Sequence, residues 1–285
     1  MKKLRIILAV LQILLAILLG LLAYYFLKHP EAPADIPIPF IAQMLPEQES
    51  TKTESIPEIY EQRKDDLALL LKYQEYNSDV VGMIRIEGTV LNHPIVQTPS
   101  DEDYYLYKDL DKKYNSHGVP FLSVNSLMEG QGGNRILYGH NIHKRTKDVF
   151  AELAGYEDLS FYQEHPIIET VSKSGTRKWL IVAYFLVDNA DEDPFRYSDV
   201  TNFLSKQDFE SYFEEVSIRN WLDVPVELSI EDTFLTLSSC SNELAGSGTN
   251  RMVVIAKQLN KDEDFSSVVA SAKMNESPLL PKRLQ

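Results

Sequence analysis

The only cysteine of the chain, Cys240, ends a segment whose residue types are typical of a β-strand. This segment, TFLTLSSC, is rich in threonine and apolar residues, and a loop that contains glycine follows it. Arg251 then opens a second apolar run, MVVIA. Two such runs joined by a glycine-containing turn predict neighbouring antiparallel strands. A thiol and a guanidinium would then lie side by side, and with an imidazole they could perform cysteine acyl transfer.

The imidazole that best fits this site belongs to His140. The segment RILY predicts a strand, and Gly139 and His140 follow directly at its end. Catalytic side chains tend to lie on loops at the ends of rigid strands, and the glycine lets a backbone or a ligand approach closely. His143 follows shortly after, and the residue types alone leave it open as an alternative. His117 lies in a predicted loop without a neighbour that points to catalysis.

Composition and motifs argue against several other kinds of chemistry. One cysteine can form neither an internal disulfide nor a cysteine-rich zinc site. The sequence has no His-Glu-x-x-His motif, no EF-hand loop and no phosphate-binding glycine loop, so we predict no metal and no cofactor. A formal net charge of −14 argues against nucleic acid, because phosphates require a basic face. Gly-x-Ser-x-Gly is also absent, so cysteine rather than serine is the predicted nucleophile.

The N-terminal residues are typical of a membrane anchor. Residues 1–5 form a basic tip, which we place in the cytoplasm, and residues 6–27 are an uncharged apolar run long enough to cross a bilayer as a helix. Basic residues before this run and acidic residues after it predict that the body of the protein lies outside the cell. Residues 28–54 are rich in proline and polar residues, so we interpret them as an extracellular tether.

A predicted helix opens the folded domain, which we place at residues 55–260. Ser55 to Glu58 has the pattern of a capping box, and the helix is expected to end near Tyr76. A second capped helix is predicted from Ser205 to about Val216. The residues of the first helix that we expect to turn toward the core are Ile59, Tyr60, Leu67, Leu70 and Leu71.

Short apolar runs, several with period two, dominate the rest of the domain. They begin near Val80, and the last one before the cysteine segment is Val224 to Ile230. About eight such runs with few helices predict a mainly β domain, either a barrel or a sandwich. Residues 261–285 form a polar C-terminal tail that we expect to be partly disordered.

Two segments and one arginine resemble the signature of a known enzyme family. Leu137 to Asn141 reads LYGHN, Thr236 to Cys240 reads TLSSC, and Arg251 follows on the next predicted strand. In this order they closely resemble sortases, the membrane-anchored cysteine transpeptidases of Gram-positive cell surfaces. The family pattern has threonine where this chain has Ser239, a change that keeps a hydroxyl. The two capped helices and the segments PIVQ and YYL resemble class B sortases in particular.

This resemblance implies both a fold and an activity. The implied fold is mainly β, a closed eight-stranded barrel with peripheral helices, preceded by one N-terminal transmembrane helix. The implied activity is cleavage after threonine within a sorting motif, through a thioester on Cys240. His140 and Arg251 are the other implied catalytic residues, and we expect Ser238 and Tyr197 to contact the substrate.

The resemblance also implies partners and a location. The expected substrates are secreted surface proteins or pilins with a motif of the Asn-Pro-x-Thr or Leu-Pro-x-Thr-Gly kind. The amine that receives the acyl group is expected to come from a peptidoglycan precursor or from a pilin lysine. The implied location is the cell membrane of a Gram-positive bacterium, with the catalytic domain on the extracellular face.

Other interpretations fit part of the pattern. A papain-like peptidase needs a histidine after its cysteine, and none follows Cys240. An L,D-transpeptidase expects a Ser-His-Gly-Cys context, which is absent. A membrane-tethered adhesin or pilus-associated binding module with a structural cysteine would keep its function after Cys240 is replaced by alanine. Asn141 and Asn242 are also candidates for a third catalytic residue. The role that we expect for both is to form hydrogen bonds that hold surface loops.

Overall fold

Strands dominate the regular structure in the residues that the computed structural model describes, which are 58–141, 149–191, 195–240, 250–261 and 263–285. The strands of these residues are β1 (Val80–Arg85), β2 (Asn92–Val96), β3 (Phe121–Leu122), β4 (Gly133–Gly139), β5 (Ile167–Ser172), β6 (Gly175–Asp188), β7 (Leu222–Asp223), β8 (Thr233–Cys240), β9 (Asn250–Gln258) and β10 (Lys273–Met274). The α-helices are α1 (Glu58–Tyr76), α2 (Leu159–Glu164), α3 (Lys206–Arg219) and α4 (Ser266–Ser271).

Eight of these strands close into a barrel in the order β1-β2-β3-β4-β8-β9-β6-β5. The pairs β2–β3 and β4–β8 are parallel, and the other neighbouring pairs are antiparallel. Closure leaves no unpaired edge strand, which is one way in which a sheet of short strands avoids pairing with another chain. The expected closed eight-stranded barrel is therefore confirmed, and the sandwich is excluded.

The barrel core is built from the long apolar runs of the central strands. Every residue of β6 from Trp179 to Asp188 is buried, because this strand faces the interior on one side and covering elements on the other. Phe185, Leu235 and Val254 have an exposed fraction of 0%. Burial of each such side chain contributes about 1.5–3 kcal/mol to folding. The strands that carry the candidate site are therefore rigid supports.

The first helix, α1, has a narrower buried face than its sequence suggests. Leu70 is buried with an exposed fraction of 0%, whereas Leu67 and Leu71 are 37% and 50% exposed. The expectation is wrong for Leu67 and Leu71. The face of α1 that contacts the barrel contains Asp66, Leu70 and Tyr73 instead. The capping box and the side chains of Ile59 and Tyr60 lie outside what the structure describes.

The second predicted helix is confirmed as α3, which extends to Arg219. The Ser205 side chain caps it by accepting a hydrogen bond of 3.1 Å from the backbone N–H of Asp208. Its aromatic face packs on the barrel, with the rings of Phe213 and Phe234 4.8 Å apart. A capped start and an aromatic face therefore fix this helix against β8.

Two sequence expectations on the C-terminal half are wrong. Val224 to Ile230 is not a strand, because its apolar residues pack against the core without a neighbouring strand to complete a ladder. The tail is also more ordered than expected, since residues 263–285 contain α4, β10 and a short 3-10 helix. β10 pairs with β7, and the backbone N–H of Leu279 donates to the carbonyl of Ile218 at 2.7 Å.

The predicted membrane anchor at residues 6–27 and the predicted tether at residues 28–54 lie outside the described residues. Among the helices that are described, none has the length and apolar character needed to cross a membrane.

Candidate active site

Three barrel strands meet at one edge, and this topology gathers the predicted catalytic residues. β4 and β8 are parallel, so their C-terminal ends lie side by side, and the N-terminal end of antiparallel β9 joins them. Gly139 pairs with Ser239, and His140 and Cys240 are the next residues on these strands. Cys240 pairs with Arg251 on its other side. Neighbouring strands lie about 5 Å apart, so the three backbones occupy adjacent positions.

A side-chain hydrogen bond joins the ends of the two parallel strands. The hydroxyl of Ser239 donates to the carbonyl oxygen of Gly139 at 2.7 Å, and the side chain of Ser239 is buried. The residues that follow this bond on each strand are His140 and Cys240. Either serine or threonine can supply such a hydroxyl, so Ser239 can make this bond in place of the threonine of the family pattern.

Arg251 is held by strands on both sides. It pairs with Cys240 on β8 and with Val187 on β6, and its side chain is half-buried. Its guanidinium donates to the carbonyl of Asn250 at 3.0 Å. Guanidinium stays protonated in proteins, so this residue supplies a fixed positive charge and hydrogen-bond donors at the barrel edge.

The imidazole of His140 is half-buried beneath the loop that follows β2. The centroid of the Tyr107 ring lies 5.0 Å from that of the imidazole. Nε2 of His140 is buried and has no hydrogen-bond partner among the described residues. This arrangement leaves Nε2 available for a reacting proton.

The surroundings of His140 favour its neutral form. Burial lowers the pKa of His140 most, the nearby His117 also lowers it, and the Leu106 carbonyl raises it by accepting from the protonated ring.

A close backbone contact explains the glycine before His140. A Cβ atom on Gly139 would lie 2.6 Å from Cδ2 of Phe150, which is closer than two carbon atoms can pack. The N–H of Phe150 in turn donates to the carbonyl of His140 at 3.0 Å. Gly139 is thus required for packing at the strand end, and this packing fixes the backbone of His140.

The two predicted substrate-contacting residues contact each other. The hydroxyls of Tyr197 and Ser238 are 2.6 Å apart, and the exposed fractions of the two residues are 3% and 1%. The hydroxyl of Tyr212 on α3 donates to the carbonyl of Tyr197 at 3.3 Å, so α3 supports this pair. The two residues are far apart in the sequence, and the fold brings them together. Ser238 is the residue of β8 directly before Ser239.

The remaining candidates divide between described and undescribed parts of the chain. Asn141 is buried, with an exposed fraction of 5%, and forms an isolated backbone bridge to Val149. His143 and Asn242 lie outside the described residues. Within the described ranges, no group of three or more histidine, cysteine, aspartate and glutamate side chains is placed to hold a metal ion.

Comparison with known proteins supports a family assignment. The family model described as the sortase domain matches residues 84–259. Sortase B of Staphylococcus aureus is 30% identical over 184 residues, which are 65% of this chain and 72% of the relative.

Solved structures give the same result. A Staphylococcus aureus sortase B–substrate complex superposes with a TM-score of 0.60 and 27% identity, covering 68% of this chain and 86% of that chain. A sortase B complexed with triglycine gives a TM-score of 0.59 and 26% identity, covering 72% of this chain and 96% of that chain.

The closed barrel and these comparisons define the protein as a cysteine transpeptidase. The chain belongs to the sortase family, and within it to class B.

Proposed function

We propose that this chain is a membrane-anchored class B sortase whose catalytic residues are Cys240, His140 and Arg251. The observation that carries the proposal is the pairing of the ends of β4, β8 and β9, which puts these residues at adjacent positions of one barrel edge. A nucleophile, an acid–base group and a fixed cation are the parts that acyl transfer from a peptide requires.

The first half of the proposed reaction cleaves the sorting motif. The Cys240 thiolate attacks the carbonyl carbon of the motif threonine, and the electron pair of the C=O bond moves to the oxygen. Arg251 donates to this oxyanion or to neighbouring substrate carbonyls. Collapse of the intermediate breaks the C–N bond, His140 as imidazolium protonates the leaving amine, and a thioester on Cys240 remains.

The second half transfers the acyl group. An incoming amine attacks the thioester carbonyl, neutral His140 accepts the proton of this amine, and the thiolate leaves. The enzyme returns to thiolate and imidazolium, so protons balance over the cycle. Nε2 of His140 has no partner among the described residues, and we assign both proton transfers to this atom.

The proposed substrates are secreted proteins that carry a sorting motif. The superposed sortase B structures include one with a substrate and one with triglycine, a peptide that has a free amine. By analogy, we assign the acceptor to an amine of a peptidoglycan precursor, and transfer to a pilin lysine is an outcome that the test distinguishes. Tyr197 and Ser238 are buried and bonded to each other, so they would contact a peptide only if this hydrogen bond opened.

A product assay tests this function. The full chain in detergent is mixed with peptides of the Asn-Pro-x-Thr and Leu-Pro-x-Thr-Gly kinds and with either triglycine or a lysine side-chain amine. We expect a peptide joined to triglycine after the threonine, and no product with Cys240→Ser. Peptide binding by the unmodified chain without any cleaved or joined product would instead support the binding-module interpretation.

The proposed location has its own test. The basic tip and the apolar run of residues 6–27 support an N-terminus in the cytoplasm and an extracellular catalytic domain. We expect the chain in the membrane fraction of Gram-positive cells, with the domain accessible to protease added outside. A chain that remains in the membrane after deletion of residues 6–27 would contradict this proposal.

A further inference from the structure

A half-exposed aromatic ring lies against the imidazole of His140. The centroid of the Tyr107 ring is 5.0 Å from that of the imidazole, and the two ring planes are inclined by 46°. Tyr107 is nevertheless 52% exposed, so its ring is not part of the barrel core. Aromatic pairs at this distance attract each other, and this attraction is separate from the burial of apolar area. The contact therefore has a role other than the filling of the core.

Contacts within the loop of residues 105–119 hold the backbone of Tyr107. The N–H of Asn115 donates to the carbonyl of Tyr107 at 2.9 Å. The next residue, Lys108, forms an isolated antiparallel bridge with Tyr114. These contacts join the two halves of the loop at the residue that carries the ring, so the ring extends from a fixed position.

A buried polar cluster fixes the base of this loop to the residues that follow α1. The hydroxyl of Tyr105 donates to the carboxylate of Asp79 at 2.7 Å and accepts from the side-chain amide of Asn77 at 2.7 Å. The same amide also donates to the carbonyl of Leu110 at 2.9 Å. Tyr105 and Asn77 are 0% and 4% exposed, so this cluster is shielded from water. The loop is therefore held at its base as well as beside Tyr107.

A glycine lets the second half of the loop pass close to the backbone that precedes Tyr107. Gly118 has φ +61°, in the left-handed region that favours glycine. A Cβ atom there would lie 2.7 Å from the backbone oxygen of Tyr105 and closer still to that of Leu106. The loop is thus tightly packed on itself, and its conformation determines where the Tyr107 ring lies.

The electrostatic surroundings of His140 give this ring a specific effect. In the described part of the chain, the titratable and charged groups placed near the imidazole are Tyr107 and His117 on the loop, and Cys240 and Arg251 at the neighbouring strand ends. Arg251, and His117 when it is protonated, are cations that disfavour a positive charge on His140. An aromatic ring attracts a cation that lies within about 6 Å of its centroid. The ring of Tyr107 therefore opposes the effect of these cations.

We propose that Tyr107 is a positioning residue for His140. Its ring holds the imidazole in one orientation, and its π electrons attract the imidazolium that the proposed transpeptidation needs. The kinetic consequence rests on the proposed role of His140 in the reaction. The contact between the two rings and its effect on the titration of His140 do not.

The test is an NMR titration of His140 in the full chain in micelles, with labelled histidine. The signal of His140 among the six histidines is assigned by its absence in His140→Asn. Tyr107→Leu removes the aromatic ring and keeps an apolar side chain over the imidazole. We expect the pKa of His140 to fall by about 0.5, because the imidazolium loses the attraction of the ring. Tyr107→Phe keeps the ring and should retain the original pKa.

The matched control is Tyr114→Leu, the same substitution on the same loop at a residue that is 80% exposed. It should leave the pKa of His140 unchanged. If Tyr107 acted only by excluding water, Tyr107→Leu would leave the pKa unchanged or raise it, because contact with water favours the charged imidazole. Either result in the folded variant overturns the proposal. If Tyr107→Leu does not fold, Tyr107→Met provides the same test with the same criterion.

Kinetics provide a second measurement on the same variants. A fall of 0.5 in the pKa of His140 predicts a kcat/KM about threefold lower at its optimum for Tyr107→Leu, with the acidic limb displaced to lower pH. A loss of stability alone would lower the melting temperature without moving this limb. The NMR titration needs no peptide, so it tests the proposal even if the chain forms no transfer product with the peptides tried.

Discussion

At the scale of single residues, the candidate site combines a half-buried imidazole with a fixed guanidinium. His140 has a pKa below its ordinary value because burial disfavours its charged form, whereas a thiol ordinarily titrates at about 8.5. At neutral pH most molecules would then hold a neutral thiol and a neutral imidazole. The reactive pair of thiolate and imidazolium is a minor form, and this sets the pH dependence of the reaction.

We expect kcat/KM to follow a bell-shaped pH profile with its acidic limb below about pH 6.5. Below the pKa of His140 the thiolate fraction falls, and above the pKa of the thiol the imidazolium fraction falls, so both limbs descend. The measurement is the rate of peptide transfer between pH 5 and 9. A rate that is constant over this range would contradict the assignment of His140.

Arg251 should not be replaceable by lysine. Lysine keeps the positive charge but lacks the planar set of donors, so Arg251→Lys should lower kcat/KM by about 100-fold or more. The control is Arg219→Lys, on α3, where Arg219 pairs with Glu215 and no catalytic role is proposed. Equal rates for both variants and the unmodified chain would show that only the charge of Arg251 matters, or that it is not catalytic.

At the scale of elements, the ends of β4, β8 and β9 form the site, and one side chain joins two of them. Ser239→Ala removes the hydrogen bond to Gly139 and should cost about 1 kcal/mol of stability, with a several-fold loss of kcat/KM. Ser239→Thr keeps the hydroxyl and should retain both. Denaturant unfolding and transfer kinetics check this. Full activity of Ser239→Ala would mean that the strand pairing alone positions His140 and Cys240.

The sequence predicted the strands of this site well because their signals are local. The runs that contain Cys240 and Arg251 have strand composition and a glycine-containing turn, and the structure confirms them as antiparallel neighbours. The parallel pairing of β4 with β8 has no local signal, since the partners are about a hundred residues apart. His140 could therefore be placed beside Cys240 only through the resemblance to sortases.

The contact made by the loop of residues 105–119 shows a different limit of sequence reasoning. Tyr107 reaches His140 only after this loop folds over it, and loop conformation has no periodic pattern. Similarly, Val224 to Ile230 has the composition of a strand, but in the described structure no neighbouring strand pairs with it, so it packs against the core without a ladder.

At the scale of the whole molecule, the C-terminal segment is part of the folded body. Asn275 and Leu279 donate backbone hydrogen bonds to the carbonyls of Trp221 and Ile218 at 2.8 and 2.7 Å, and Pro281 is buried. Removal of residues 275–285 should therefore lower the melting temperature by roughly 5–10 °C, as expected for about 2–3 kcal/mol. Removal of Gln285 alone is the control. An unchanged melting temperature after the longer deletion would restore the interpretation as a loose tail.

The central claim is that Cys240 forms a thioester with the substrate and passes it to an amine. The most direct measurement is the intact mass of the full chain after a brief reaction with a sorting-motif peptide. We predict a mass increase located at Cys240 that disappears when triglycine is added and never forms with Cys240→Ala. An adduct on another residue, or transfer product formed by Cys240→Ala, would contradict the account.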